Sequence, residues 1–305
     1  LHLRWTRAAA MNYADEPEHA RQVRQYYDLN TGRFLRWGKD EGTRNIHAAL
    51  WPPEVGSLAA AMNHSNEMVA REIEGCPYAV DRVLDLGCGV GGSVFYLGRR
   101  LPRVQRFLGI SLSPVQVEQA RARIPADQRG RFHFEEGSFL ELAVERFAAD
   151  FSFAIEAFTH GPDPGRFFAL QARVLPRGGR LVIIDDCLCG RAGAATLPGR
   201  PARLLDAYRR NWLLPGLRDP ETLESVACDA GFHLIEQRDL TPHLRLGRPR
   251  DRAIALLVRL LGPRVERTAY LRALAGGDAK QQCYREGLIR YLFLMFENQS
   301  ADAGR

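Results

Sequence analysis

The chain has 305 residues, enough for a sizeable core, and 46% hydrophobic with 26% charged residues is a globular composition that excludes a disordered chain. The formal net charge is +6, but the basic residues are scattered, without the dense run of a nucleic-acid-binding arm. No stretch approaches the roughly eighteen consecutive apolar residues of a membrane span, so we expect none.

Cysteine usage indicates a reducing compartment. Six cysteines in a chain of this length are too sparse for a disulfide framework. The one close pair, Cys187 and Cys189, lacks the spacing of metal ligands and has no second pair to complete a site. We therefore expect a cytoplasmic protein, and we predict no metal ligands.

Helical periodicity over residues 15–75 is interrupted by an aromatic-rich segment from Tyr26 to Trp51, for which we predict a loop. Between residues 82 and 186, short apolar runs alternate with amphipathic segments, which is typical of a parallel sheet covered by helices. Strands are predicted over 82–87, 106–111, 131–136, 150–156 and 180–186, and helices over 92–101, 114–124 and 162–175.

The remaining third of the chain is predicted to add helices and two strands. Helices are expected over 202–214, 220–231 and 250–275, and strands over 232–240 and 287–297. The fold class predicted from this order is α/β, with a doubly wound, seven-stranded, mostly parallel sheet.

A glycine-rich segment, VLDLGCGVGG (Val83 to Gly92), joins the first predicted strand to a helix. Glycines at this junction allow a tight turn and leave the amides at the helix start free to face a ligand. Asp85 lies two residues before the first glycine, where a carboxylate would repel a pyrophosphate but suits an ammonium group. The acid that grips ribose in nicotinamide-binding proteins is expected near residue 111, where the chain has Ser111, and this argues against a nicotinamide cofactor.

Four ordered segments resemble class I S-adenosylmethionine-dependent methyltransferases. DLGCGVGG resembles their glycine-rich first motif, and GISLSPVQ (Gly109 to Gln116) is similar to the second strand of tocopherol-type and sterol methyltransferases. AIEAFTHGPD (Ala154 to Asp163) resembles the fourth-strand motif of sterol C-methyltransferases. VLPRGGRLVIIDD (Val174 to Asp186) resembles the helix, turn and fifth strand of the same superfamily. The resemblance implies S-adenosyl-L-methionine as cofactor and S-adenosyl-L-homocysteine as product, with metal need unknown.

The resemblance also implies an organisation and a set of cofactor-binding residues. It implies a Rossmann-like core over 76–190, a helical N-terminal lid over 11–75, a helical cap over 191–218 and 241–285, and further core elements over 219–240 and 286–298. The expected cofactor contacts are Asp85, Gly87, Gly89, Ser111, Leu112, Gln116, Ser138, Phe139 and Glu156. Ser111 and Ser138 depart from the family pattern, which often has acids there to hold the ribose and the adenine.

Methyl transfer requires a positioned acceptor and often one proton acceptor. The candidate catalytic residues are Glu156, His160 and Asp185, all near the carboxyl ends of the fourth and fifth strands, where open α/β sheets bind ligands. Glu156 resembles the acid that removes a proton after C-methylation of an alkene in sterol and prenyl-diphosphate methyltransferases. His160 with Asp185 resembles the pair that deprotonates a hydroxyl in O-methyltransferases.

Aromatic and basic side chains are candidates for binding the acceptor. The YYD segment resembles a lid of related methyltransferases, in which Tyr26, Tyr27, Phe34, Trp37 and Trp51 would cover a cation. The candidate substrate contacts are Tyr26, Tyr27, Trp37, Phe158, Tyr208, Arg209 and Trp212. An Arg209 and Arg210 pair is a candidate diphosphate site.

The sequence therefore predicts a methyltransferase acting on an apolar or aromatic small molecule of natural-product or isoprenoid type. C-methylation of an alkene is favoured, and O- or N-methylation with His160 and Asp185 is the alternative. Two other classes stay open: an RNA-directed methyltransferase, suggested by the positive charge, and a non-catalytic scaffold. We expect no nucleic-acid partner, and the oligomeric state cannot be read from the sequence.

Overall fold

The computed structural model describes residues 17–37, 43–190 and 198–300. Its centre is a seven-stranded sheet in the order β3-β2-β1-β4-β5-β7-β6. The strands are β1 (Arg82–Leu86), β2 (Arg106–Ser111), β3 (Phe132–Glu136), β4 (Phe151–Ile155), β5 (Arg180–Leu188), β6 (Phe232–Asp239) and β7 (Ile289–Asn298). Only β7 runs antiparallel to its neighbours, so the sheet is mostly parallel, as predicted.

Ten α-helices accompany this sheet in the part of the chain just defined. They are α1 (Glu18–Trp37), α2 (Leu58–Glu74), α3 (Gly92–Arg100), α4 (Pro114–Ala122), α5 (Val144–Phe147), α6 (Pro164–Val174), α7 (Arg200–Trp212), α8 (Pro220–Asp229), α9 (Pro249–Leu261) and α10 (Ala269–Arg285). Ser113 caps α4 by accepting from the Gln116 N–H, with Pro114 at the first helical position.

Apolar residues cover both faces of the sheet because side chains alternate along each strand. Along β1, Val83 belongs to the core that α2, α3, α4, α7 and α10 cover, while Leu84 and Leu86 belong to the core under α5, α6 and α8. Phe153 and Ala154 divide in the same way on β4. Because β1, β2, β4 and β5 run parallel, their carboxyl ends lie at one edge of the sheet.

The predicted loop from Tyr26 to Trp51 is wrong in its first half, because residues 26–37 continue helix α1. Asn30 and Thr31 do not end the helix, since their side chains donate to the carbonyls of Tyr26 and Tyr27 one turn earlier, at 2.9 and 2.7 Å. The lid predicted at 11–75 is therefore helical through 18–37, and its residues 11–16 and 38–42 lie outside the described part.

The single helix predicted over 250–275 is also wrong. Gly262, at a φ of 50°, and the proline after it separate α9 from α10, which continues to Arg285. Gly276 and Gly277 lie just beyond the predicted helix and are inside α10. A side chain at Gly276 would overlap the indole of Trp212, so close packing of α7 on α10 requires glycine there.

Candidate active site

The glycine-rich turn joins β1 to α3 and forms the floor of a pocket. Gly87 has a φ of 99°, and a Cβ there would overlap that of Ala157, so only glycine fits. The N–H groups of Gly87 and Cys88 both donate to the Ile110 carbonyl at 2.9 Å, which anchors the turn to β2. The backbone of the turn is thereby held open toward the pocket.

The pocket contains about 880 Å³ of empty space, a volume that includes its open mouth. It lies at the carboxyl ends of β1, β2 and β4, between α1 and the segment 44–47. Of the predicted cofactor contacts, eight line it: Asp85, Gly87, Gly89, Ser111, Leu112, Gln116, Phe139 and Glu156. Ser138 is not among the lining residues, and its hydroxyl accepts the Leu140 N–H at 3.1 Å.

Asp85 is buried on the pocket wall, with 3% of its surface exposed. Its carboxylate forms no hydrogen bond or ion pair with any other residue of the described ranges. Burial raises the pKa of Asp85 well above its usual value, because no partner compensates for the lost hydration of the charge. A cationic ligand group beside this carboxylate would supply that compensation, so the chemistry of this wall fits an ammonium group.

Polar side chains at the end of β2 are tied to α1. The Ser111 hydroxyl donates to Gln116 Oε1 at 2.9 Å, and Gln116 Nε2 donates to Thr31 Oγ1 at 3.0 Å. The Ser113 hydroxyl donates to Asp28 at 2.5 Å. Helix α1 is therefore fastened along the β2 side of the pocket by hydrogen bonds that connect residues about 85 positions apart.

The opposite side of α1 is fastened to His160. The Tyr27 hydroxyl lies 2.7 Å from His160 Nε2, and His19 Nε2 lies 2.9 Å from the His160 carbonyl. His160 Nδ1 lies 3.0 Å from the Leu213 carbonyl, which can only accept, so Nδ1 carries the proton and Nε2 accepts from Tyr27. Burial lowers the pKa of His160 to about 4, which keeps the ring neutral.

The predicted pairing of His160 with Asp185 is contradicted by these contacts. Asp185 instead accepts from the backbone N–H and the hydroxyl of Thr159, both at 3.1 Å, and from the Asp186 N–H at 2.8 Å. Burial, reinforced by neighbouring Asp186, raises the pKa of Asp185 to about 7. Asp185 is thus directed at the turn after β4, and the imidazole is oriented by the Leu213 carbonyl instead. Asp186 faces the other side of the sheet, because adjacent residues of a strand face opposite ways.

Glu156 follows β4 in a left-handed conformation, with a φ of 49°, which costs about 1–2 kcal/mol for a residue other than glycine. Its N–H donates to the Ile184 carbonyl at 2.9 Å, and its Oε1 accepts from the Ala48 N–H at 2.7 Å. The strained turn holds the carboxylate on the pocket wall, and such strain is concentrated at functional sites.

Lys280 is the residue near Glu156 that sequence reasoning missed. Its ammonium lies 3.0 Å from Asp186 Oδ2 and 4.0 Å from Glu156 Oε2, and 11% of its side chain is exposed. Tyr208 and Tyr284 each donate a hydroxyl hydrogen bond to Asp186. One signal was available: only two of the forty-two basic residues are lysines, Lys39 and Lys280.

The ion cluster controls the charge of Glu156. Burial by itself would raise the pKa of Glu156, but Lys280 and the Ala48 N–H outweigh burial and hold the pKa below its usual value. Burial alone would likewise lower the pKa of Lys280, but Asp186 and Glu156 raise it above its usual value. Both groups are therefore charged at neutral pH.

Most of the residues predicted to contact the acceptor do not line the pocket. Phe158 packs edge-on against Phe167 in the core under α6, because the turn after β4 directs it away from the pocket. The Arg209 guanidinium donates to the Leu217 carbonyl at 3.2 Å, and Arg210 pairs with Asp206 at 3.0 Å, so the two do not form a diphosphate site.

Of the aromatic residues predicted to bind the acceptor, some line the pocket and others do not. Tyr27 lines the pocket, whereas buried Tyr26 packs edge-on behind it. Trp212 donates to the Ala273 carbonyl at 3.0 Å and lies under the Lys280 ammonium, 4.9 Å from the ring centre. Trp51 is stacked by Arg245 at 3.5 Å and is not among the pocket residues. The side chains of Phe34 and Trp37 lie outside the described part.

Comparison with known proteins agrees with this geometry. Residues 84–183 match the model of a methyltransferase domain family. The chain is 30% identical over 205 residues to O-methyltransferase resE of Aspergillus sclerotiorum, covering 66% of this chain and 73% of that protein. It is 29% identical over 231 residues to methyltransferase GfsG of Streptomyces halstedii, covering 74% and 78%. The chain belongs to the class I S-adenosylmethionine-dependent methyltransferases.

A solved structure extends the match in fold to most of the chain. Geranyl diphosphate C-methyltransferase from Streptomyces coelicolor A3(2), in complex with Mg²⁺, geranyl diphosphate and S-adenosyl-L-homocysteine, superposes with a TM-score of 0.66. The match covers 92% of this chain and 98% of that chain at 19% identity. This likeness confirms the predicted class of fold.

The described residues lack both a metal-binding cluster and a membrane-spanning helix. No group of three or more potential metal-ligating side chains is assembled there. None of the helices described above combines the length and apolarity needed to cross a membrane.

We predict that His160 makes folding stability pH-dependent. Its pKa is lowered to about 4 in the folded state, so protons bind the unfolded chain more tightly and stability falls as pH drops from about 6.5 to 4. His160→Gln removes this contribution, so the difference in unfolding free energy between wild type and variant changes by about 3 kcal/mol over this window. Denaturant unfolding at several pH values measures it, with exposed His233→Gln as control. A pH-independent difference would contradict the buried, neutral imidazole.

Proposed function

We propose that the pocket binds S-adenosylmethionine through Asp85 and the glycine-rich turn. The buried carboxylate that lacks a partner among the described residues suits the ammonium of the methionyl part, and the open backbone from Gly87 to Gly89 suits its close approach. Ser111, Leu112, Gln116 and Phe139 are the proposed contacts for the ribose and adenine. Ser138 is left out of this set.

We further propose that the acceptor is an apolar small molecule with an alkene, methylated on carbon. The cofactor supplies an electrophilic methyl group on a sulfonium. The π electrons of the alkene would form the new bond to the methyl carbon while its bond to sulfur breaks and the sulfur keeps that electron pair, so that S-adenosyl-L-homocysteine is the leaving group. This leaves a carbocation on the acceptor. Glu156 then takes a proton from the adjacent carbon, and the C–H electrons restore the double bond.

The observation that carries this proposal is the position of Glu156 on the pocket wall, 4.0 Å from the Lys280 ammonium. The lowered pKa of Glu156 makes it a weak base, poorly suited to removing a proton from a hydroxyl. A proton next to a carbocation is acidic enough for a weak carboxylate base. A buried anion on the pocket wall also stabilises positive charge in a site with little water.

His160 is less suited than Glu156 to act as the base. A neutral imidazole could serve as a base, but its Nε2 accepts from Tyr27, and its pKa near 4 makes it weaker than an ordinary histidine. We therefore assign His160 to holding α1 over the site. Tyr27, which lines the pocket, supplies an aromatic ring, a group suited to positive charge.

O-methylation is the second candidate, favoured by the 30% identity to an O-methyltransferase. The two reactions differ in their product. Purified protein is incubated with methyl-labelled S-adenosylmethionine and panels of prenyl alcohols, prenyl diphosphates and phenols, and products are analysed by mass spectrometry and NMR. Carbon-bound methyl on a prenyl acceptor supports the proposal, and a methyl ether as sole product would contradict it.

Asp85→Asn is expected to weaken cofactor binding by about 10- to 100-fold, because the ammonium loses a buried, charge-assisted partner. Isothermal titration calorimetry with S-adenosyl-L-homocysteine measures the effect. Asp219→Asn is the matched control, since Asp219 is equally buried but caps α8 away from the pocket. Unchanged affinity in Asp85→Asn would remove this carboxylate from the cofactor site.

Glu156→Gln is expected to lower kcat by about 10²- to 10⁴-fold while cofactor affinity stays within about threefold, because the amide cannot accept the proton. Single-turnover product formation and calorimetry separate the two effects. Glu118→Gln, an exposed change on α4, is the control. Full turnover in Glu156→Gln would exclude it as proton acceptor.

Lys280→Met is expected to raise the pKa of Glu156, because the carboxylate loses its neighbouring cation. The acid limb of the pH profile of kcat then moves up by about one to two pH units. Lys280→Arg keeps the charge and is expected to restore the wild-type profile. If Lys280→Met folds and its profile is unmoved, Lys280 has only a structural role. If it does not fold, a displaced profile in Lys280→Arg would contradict the positioning role.

A further inference from the structure

Helix α9 exposes an apolar stripe that the fold does not use. Leu256, Leu257 and Leu260 are 59%, 40% and 72% exposed. The other large hydrophobic side chains exposed in the described part are Leu29, Val115 and Ile235, each alone on a different element. Single exposed hydrophobic side chains are normal on a protein surface. Three exposed leucines on one helix instead form an apolar patch, which is typical of an interaction site.

The geometry of the helix places these residues on one side. Successive residues advance by about 100° around an α-helix, so Ala253, Leu256, Leu257 and Leu260 fall within an arc of about 100°. The opposite side carries Val258 and Ala255, which are half-buried, and no residue of α9 is buried. Helix α9 is thus apolar on both sides, and such a helix is normally covered on both.

Arginines border the exposed stripe. Arg250 lies beside it on one side, and Arg252 and Arg259 lie on the other. All three are exposed and form no ion pair with another residue of the described chain. The one acid of the helix, Asp251, lies away from the stripe and pairs with Arg248 at 3.3 Å. The border of the stripe is therefore purely cationic.

We propose that α9 docks on an anionic lipid surface. An exposed leucine stripe enters the boundary between headgroups and acyl chains, while flanking arginines contact lipid phosphates. The charge pattern favours this occupant over a second copy of the chain, because two such helices facing each other would bring like charges together.

The position of α9 connects this surface to the pocket. Gly247, just before α9, donates its N–H to Gln281 of α10 at 3.1 Å. The residue before Gln281 is Lys280, whose ammonium lies 4.0 Å from Glu156 on the pocket wall. A bilayer on the outer side of α9 would therefore lie one helix away from the acceptor end of the site. The inference goes beyond the proposed reaction and does not depend on it.

The test is co-sedimentation of the full chain with vesicles of phosphatidylcholine alone or mixed with phosphatidylglycerol. We expect binding to the mixed vesicles that salt weakens. The double variant L256Q/L260Q and the triple variant R250Q/R252Q/R259Q are each expected to lower the affinity by roughly tenfold or more. Leu29→Gln, which changes an equally exposed leucine on α1, is the matched control and is expected to bind as wild type.

Other outcomes would overturn the proposal. The proposal is wrong if the wild type does not bind the mixed vesicles, or if both α9 variants bind them as tightly as the wild type does. It is also wrong if Leu29→Gln loses binding as well. A wild-type dimer that L256Q/L260Q converts to a monomer in analytical ultracentrifugation would assign the stripe to a second copy instead. Thermal unfolding confirms that each variant is folded, which is expected because the altered side chains are exposed.

Discussion

The pairing of Lys280 with Glu156 and Asp186 is the interaction on which the site depends. Two carboxylates and an ammonium are removed from water together, at a cost of several kcal/mol for each isolated ion. The cluster is tolerable only because every member has a partner. Asp186 accepts from two tyrosine hydroxyls, and Glu156 accepts from the Ala48 N–H. Its position therefore constrains three distant parts of the chain at once.

This constraint connects the sheet to the helices above it. Asp186 lies near the carboxyl end of β5, Lys280 and Tyr284 come from α10, and Tyr208 comes from α7. Gly276 allows α7 and α10 to pack closely enough for these side chains to converge. The helices that would cover the acceptor are thus held to the core by charge and hydrogen bonds, as well as by apolar contacts.

Two carboxylates at neighbouring strand ends differ in their environment. Asp85 has no partner among the described residues, and burial raises its pKa, while Glu156 is paired and its pKa is lowered. The first is prepared for a cation brought by a ligand, and the second is already compensated and free to accept a proton. The two side chains carry the same carboxylate group, and their different surroundings suit one to bind a cation and the other to accept a proton, as we propose.

The sequence by itself determined the sheet, the glycine-rich turn and Asp85, because strand, turn and helix over 82–100 follow from local periodicity and glycine geometry. It also identified Glu156 as a candidate. Only the tertiary structure decided the partners: Lys280 reaches Glu156 across more than a hundred residues, Tyr27 replaces Asp185 beside His160, and Phe158 turns into the core. Local patterns carry no information on which distant helix covers a strand end, so these contacts depend on packing that forms only when the chain folds.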